Sequence, residues 1–197
     1  MRGGAAASLI ALGIIGNRAA VSYVQGINFR NTVGYVTDGA DDYVQTGTTA
    51  NYPTTTSQGN VVGWEDAIST TENRNSSVDA RLAGVAQAFG PTISRFRLDL
   101  PVAGTYRITL AAGDVSFANW AICEIFDNVT SKGVLCNQIP GAGSFCDATD
   151  TVLTAANWPS SNTSVDITFA STICRLTFGD GNGAHTWTVA HLKVEKV

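Results

Sequence analysis

The sequence predicts an all-β protein, a sandwich of short antiparallel strands, and three observations predict it. Segments of alternating apolar and polar residues recur along the chain, turn signals separate them at intervals of about ten residues, and no convincing amphipathic helix interrupts them beyond the N-terminus. The clearest alternation is Arg95 to Asp114, RFRLDLPVAGTYRITLAAGD. Phe96, Leu98 and Leu100 face one way and Arg95, Arg97 and Asp99 the other, the period of a strand half buried against a core. Pro101 ends that strand, and Tyr106, Ile108, Leu110 and Ala112 then alternate with Thr105, Arg107, Thr109 and Ala111. The short Val102–Gly104 connection predicts that the two strands pair as a hairpin.

From the start of the chain, Ala5–Ile15 (AAASLIALGII) is an apolar run too short to span a bilayer as a helix. Two readings are open for it. As a signal peptide it would use Arg2 as its charged start, with Asn17-Arg18-Ala19-Ala20 as a poor cleavage region. As an assembly arm (residues 1–20) it would bury Leu9, Ile10, Leu12, Ile14 and Ile15 against a neighbour, and this is the reading carried forward. Val21–Arg30 is rich in β-branched and aromatic residues and predicts a strand. Residues 31–60 read as loops over one end of the sandwich, with short strand candidates at Tyr35-Val36 and Tyr43-Val44. Further strands are expected at Val61–Trp64, Asn119–Asp127, Gly133–Asn137, Thr151–Thr154, Ser164–Phe169, Ile173–Phe178 and Thr186–Val194, with a loop over Gln138–Thr149. Between them, Thr70–Ala88 concentrates charge (Glu72, Arg74, Asp79, Arg81) in a chain otherwise poor in it.

At 197 residues, residues 21–197 are expected to form a single domain with one core. Apolar residues make up 44% and charged residues 14%, so the surface is expected to be largely Thr, Ser, Asn and Gly, and the composition argues against disorder. A net charge of -4 without a basic cluster argues against nucleic acid as a partner. Four cysteines without a C-x-x-C pair suggest neither a disulfide scaffold nor a zinc site. Cys123 and Cys136 are expected opposite each other on a hairpin around Asn128–Lys132, with buried thiols the more ordinary outcome than a disulfide. Cys146 and Cys174 have no assignable partner.

An enzyme is not expected. The only histidines are His185, beside the turn at Gly179–Gly183, and His191 in a strand pattern, and Gly141-Ala-Gly-Ser144 does not complete a nucleophile elbow. Asp38, Asp41 and Asp42 offer an oxygen-rich setting suited to calcium, without EF-hand spacing. Arg74, Asp79 and Arg81 are candidates for contact with a glycan or an anionic partner through the guanidinium fork, against the plainer reading of an internal ion-paired network. Of Trp64, Trp120, Trp158 and Trp187, the loop-like context of Trp158 (Asn-Trp-Pro-Ser) marks it as the one expected to be exposed as a sugar-stacking platform, and the others are expected in the core. Asn-x-Ser/Thr sequons at Asn75, Asn128 and Asn162 are set aside.

Several stretches resemble a galactose-binding-like β-sandwich, of the kind found in carbohydrate-binding modules. They are Ile27–Gly39 (INFRNTVGYVTDG), the ENRNSSVDARLAGV block, the FRLDLPVAGTYRITLAAGD segment, Glu124–Leu135, and SVDITFASTICRLTFGDG followed by VAHLKVEKV. The resemblance covers residues 21–197 and implies a jelly-roll sandwich of roughly eight to ten strands; related sandwiches often carry a structural calcium ion near their loops. Similar sandwiches with a short apolar start occur among virion components of tailed bacteriophages. That likeness implies a non-enzymatic decoration or accessory protein in the virion, anchored by the arm to the major capsid protein, another virion protein or copies of itself. The alternative it implies is a secreted carbohydrate-binding module that recognises glycans through its loop end. No cofactor is expected beyond that calcium ion.

Overall fold

The computed structural model describes residues 23–31, 50–74 and 79–197. Among them the chain forms β1 (Val24–Asn28), β2 (Thr54–Thr55), β3 (Val61–Trp64), β4 (Thr70–Asn73) and, after a 3-10 turn at Ala80–Leu82, β5 (Gly84–Ala88). There follow β6 (Ser94–Asp99), β7 (Gly104–Asp114), β8 (Ala121–Asp127), β9 (Thr130–Gln138), β10 (Ser144–Cys146) and β11 (Val152–Thr154). A single helical turn, α1 (Trp158–Ser161), then leads to β12 (Val165–Phe169), β13 (Ile173–Phe178), β14 (Trp187–Val189) and β15 (His191–Lys196). No helix among the described residues is long and apolar enough to cross a membrane.

Two six-stranded antiparallel sheets form the body. The first runs β1-β15-β7-β10-β11, with β12 against the opening half of β7, and the second runs β2-β3-β6-β13-β8-β9. Their inner faces meet in one core. Ile27, Tyr106, Ile108, Leu110, Leu192 and Val194 come from the first sheet, and Val62, Trp64, Phe96, Leu98, Ile125, Leu176 and Phe178 from the second. Phe29, just past β1, bridges them, packing edge-on to Phe96 with ring centres 5.2 Å apart and against Trp64 at 5.6 Å. A smaller sheet, β14-β5-β4, closes one end.

Strand β7 shows how its residues suit its place. Its first half alternates, because only one face is covered; from Leu110 to Asp114 every residue is buried. There the outer face carries a second apolar cluster of Leu82, Val85, Ala111, Phe145, Ala155, Trp158 and Ala190. The strand is accordingly small-residued at Ala111-Ala112-Gly113. A Cβ on Gly113, which has φ +144°, would lie 2.5 Å from the Ser144 carbonyl oxygen, so only glycine fits where β10 crosses so closely.

The strands at Val61, Asn119, Thr151, Ser164 and Ile173 form near the predicted positions, and β9 contains the predicted Gly133–Asn137, whereas the single strand predicted over Thr186–Val194 is two, β14 and β15, in different sheets. Cys123 and Cys136 are opposite each other in the β8–β9 pair as expected, and all four cysteines are free and buried. Burial pushes the thiol of Cys136 up, and its contacts with Cys123 and Cys146 bring three thiols together. Two further expectations are corrected. Strands β6 and β7 do not pair as a hairpin: β6 lies between β3 and β13 in one sheet, and β7 between β15 and β12 or β10 in the other. The Pro101–Ala103 link carries the chain across the core, so the two apolar faces meet each other rather than lying side by side. The Tyr106 hydroxyl holds that crossing by donating to the Val102 carbonyl at 2.7 Å. The predicted loop at Gln138–Thr149 contains β10, which pairs with β7 and β11. The charged stretch Thr70–Ala88 contains β4 and β5 as a paired unit.

Candidate functional site

The carboxylate of Asp114, at the end of β7 and fully buried, organises one end of the sandwich. Its Oδ1 accepts the Ser116 backbone N–H at 2.7 Å, which turns the chain towards Phe117. Both its oxygens accept from Arg74 Nε at 3.1 Å, and Arg74 Nη2 donates to Oδ2 at 3.0 Å. The Arg74 Nη1 donates to Glu72 on β4, whose Oε1 accepts from Gln87 Nε2 on β5 at 2.9 Å. One guanidinium therefore ties the small sheet to β7. Burial works against the charge on Arg74, but the bonds to Asp114 and Glu72 outweigh it and hold the guanidinium more basic than usual.

Above this network lies a cleft of about 300 Å³ lined by Glu72, Arg74, Gln87, Phe89, Phe117, Asn119 and Thr186. Two large apolar side chains stand at it uncovered, Phe89 at 55% exposure and Phe117 at 56%. The Arg74 guanidinium carbon lies 5.1 Å from the centre of the Phe117 ring, which orients that ring against a fixed plane. One guanidinium faces two carboxylates, of which Glu72 lines the cleft and Asp114 is buried beneath it. Close by in sequence, Trp120 stacks on His185 at 3.6 Å, and His185 Nδ1 lies 2.8 Å from Asp180 Oδ2. The amide of Asn182, then His185, hold the Asp180 carboxyl below its ordinary range.

The residues singled out from sequence separate. Arg74 lines the cleft but bonds to neither Asp79 nor Arg81. Asp79 and Arg81 form a local ion pair: Asp79 Oδ1 accepts the Arg81 backbone N–H at 2.8 Å and Arg81 Nε at 3.0 Å, and Oδ2 accepts Nη2 at 2.8 Å. Burial would raise the Asp79 carboxyl, but these bonds hold it low. The expectation of an exposed Trp158 is corrected. It is fully buried, its Nε1 donates to the Leu110 carbonyl at 3.1 Å, and the Arg81 guanidinium covers its ring at 5.0 Å. Burying so large a ring on the outer face of β7 outweighs the turn-like composition around it. Trp64 and Trp187 are in the core as expected, and Trp120 is half-buried. The assembly-arm residues Leu9, Ile10, Leu12, Ile14 and Ile15, the calcium candidates Asp38, Asp41 and Asp42, Asn75, and the strand candidates at Tyr35 and Tyr43 lie outside the described residues. Gln87, Phe89, Phe117, Asn119 and Thr186 were not singled out from sequence. The signal for Phe117 is a large aromatic among turn residues, Ser116-Phe117-Ala118-Asn119, outside any alternation.

No family model matches this chain, and no curated protein matches it. Among solved structures it is similar to an exo-β-1,3-galactanase from Phanerochaete chrysosporium, solved with β-1,3-galactotriose, at 15% identity and a TM-score of 0.38 over 81% of this chain and 32% of that one. The same enzyme solved with galactose gives 13% identity and a TM-score of 0.38, covering 76% and 29%. A peptidoglycan O-acetylesterase gives 12% identity and a TM-score of 0.32, covering 87% and 35%. The chain thus spans about a third of the length of each of these proteins.

Proposed function

We propose that this chain is a glycan-binding module with no chemistry of its own, and that the loop-end cleft above Asp114 holds the sugar. The observation that carries this is the pairing of two exposed aromatic rings, Phe89 and Phe117, with a floor of planar polar side chains, Glu72, Arg74, Gln87 and Asn119. A pyranose has an apolar C–H face and a rim of hydroxyls. The rings suit the first and the amide and carboxylate groups the second. The Asp114–Arg74–Glu72–Gln87 chain fixes the floor before ligand arrives, so less freedom is lost on binding.

The sandwich is read as a jelly roll of the galactose-binding-like kind. Supporting this, the chain passes between the two large sheets from β6 to β7, β7 to β8, β9 to β10 and β12 to β13, instead of completing one sheet before the other. The virion-assembly reading rests on the arm, which lies outside the described residues. The glycan reading therefore replaces it as the main one.

The test is a screen of immobilised oligosaccharides, followed by calorimetry on the best ligand with Phe117→Ala and Gln87→Ala, and with the buried Trp158→Phe as a control. Each cleft substitution is expected to weaken binding about tenfold, equivalent to about 1.4 kcal/mol, and the control to leave it unchanged. A screen without binders, or binding indifferent to both cleft substitutions, would overturn the proposal.

A further inference from the structure

A second cleft lies on the outer face of the sheet β2-β3-β6-β13-β8-β9, and its lining carries two guanidiniums. It encloses about 250 Å³ between Arg95, Phe126, Asn128, Val129, Arg175 and Thr177. The register explains the grouping: Thr177 is opposite Arg95, and Arg175 is opposite Phe126, so these side chains stand in two adjacent rows on the solvent face. The β8–β9 turn, with Asn128 at φ +56° and Val129 exposed, forms the far wall.

The cleft has no acidic residue in its lining. Two of the nearby carboxylates are held in ion pairs. Glu65 receives Arg175 Nε at 2.7 Å and Nη2 at 2.9 Å, while Asp66 receives Arg95 Nε at 2.6 Å and Nη2 at 2.7 Å. Glu124, on the same face opposite Thr177, has its Oε1 taken by Ser131. The Arg175 Nη1 is held by Asn128, through both the carbonyl and Oδ1. What remains unpaired among the described residues is a set of donors: Arg95 Nη1, Asn128 Nδ2 and the Thr177 hydroxyl. Beside them are a half-buried aromatic ring, Phe126, and the Val129 side chain.

We infer that this cleft binds a carboxylate-bearing sugar ring, a uronic acid residue. A carboxylate accepts hydrogen bonds only, and the lining itself offers it donors, one of them on a guanidinium. The ring's apolar face rests against Phe126 and Val129, and the volume admits a single ring rather than a longer ligand. The site shares no lining residue with the loop-end cleft, and either can hold if the other fails.

The test uses the full chain, titrated with glucuronic acid and separately with glucose while the side-chain amide of Asn128 and the Nε–H of Arg95 are followed by NMR. Glucuronic acid is expected to shift both signals saturably and glucose to leave them in place. Asn128→Asp, which keeps the Arg175 contact and suits a left-handed turn position, should remove binding, followed there through Arg95 alone. Arg95→Gln should weaken it at least fivefold, followed through the Asn128 amide. Equal shifts with glucose, shifts confined to Gln87 and Asn119, no shifts, or unchanged binding in Asn128→Asp would each overturn the assignment.

Discussion

Replacing His191 by glutamine should flatten the acid side of the protein's stability profile. His191 opens β15 and is fully buried, with Nδ1 2.7 Å from Asn28 Oδ1 and Nε2 without a partner. The charged groups around it are Asp79, Arg81 and Lys193, and the Trp158 ring stands edge-on at 5.6 Å. Burial, reinforced by Arg81, pushes its pKa down from 6.5 to about 3. Below pH 6.5 the unfolded chain takes up a proton that the folded chain refuses. Stability from this group is thus complete above about pH 6.5 and is lost as the pH falls towards 3, at about 1.4 kcal/mol per pH unit. Between pH 6.5 and pH 5 the loss is about 2 kcal/mol. The pH window is well chosen, because the carboxylates held low by their partners, Asp66, Asp79, Asp127, Asp166 and Asp180, titrate beneath it. Urea unfolding followed by tryptophan fluorescence at the two pH values, on the wild type and on His191→Gln, gives the difference of differences and cancels whatever His185 contributes. A variant whose stability falls between pH 6.5 and pH 5 as steeply as the wild type's would refute the reasoning.

Two further outcomes follow from the same geometry. Asp114→Asn leaves the buried Arg74 guanidinium facing an amide and should cost about 3–5 kcal/mol in urea unfolding; a loss under 1 kcal/mol would show that Arg74 is not anchored there. Trp158→Phe removes the hydrogen bond to Leu110 and leaves a void under Arg81, so a loss of about 2–4 kcal/mol is expected by calorimetry, and a neutral result would place the ring at the surface after all.

Most strands were legible because period-2 alternation reports which residues share a buried face, and β6, β7, β8, β13 and β15 each show it. Alternation says nothing about which strand lies alongside. Arg95–Leu100 and Thr105–Ala112 look the same whether they pair or face each other across a core, and the short link argued for the wrong choice. The candidate site was legible only at Arg74. Its partner Asp114 lies 40 residues away along the chain and is joined to it only by the fold. Trp158 misled for the converse reason: Asn-Trp-Pro-Ser does form a local turn, α1, but the turn packs inward over β7. Asp79 and Arg81, by contrast, are two residues apart, and their ion pair follows from spacing alone.

Strand β1 pairs with β15, and the Lys196 backbone N–H donates to the Tyr23 carbonyl at 2.8 Å. Lys196 in turn stands opposite Tyr106 near the start of β7, while Asp114 at the other end of that strand anchors the loop-end cleft. Eight residues of extended chain separate the two, about 25 Å. Residue 23 and residue 196 therefore share one pole of the sandwich, and the cleft occupies the opposite one. Tethering at residue 23 or residue 196, to a bead or a fluorophore, points the cleft away from its attachment.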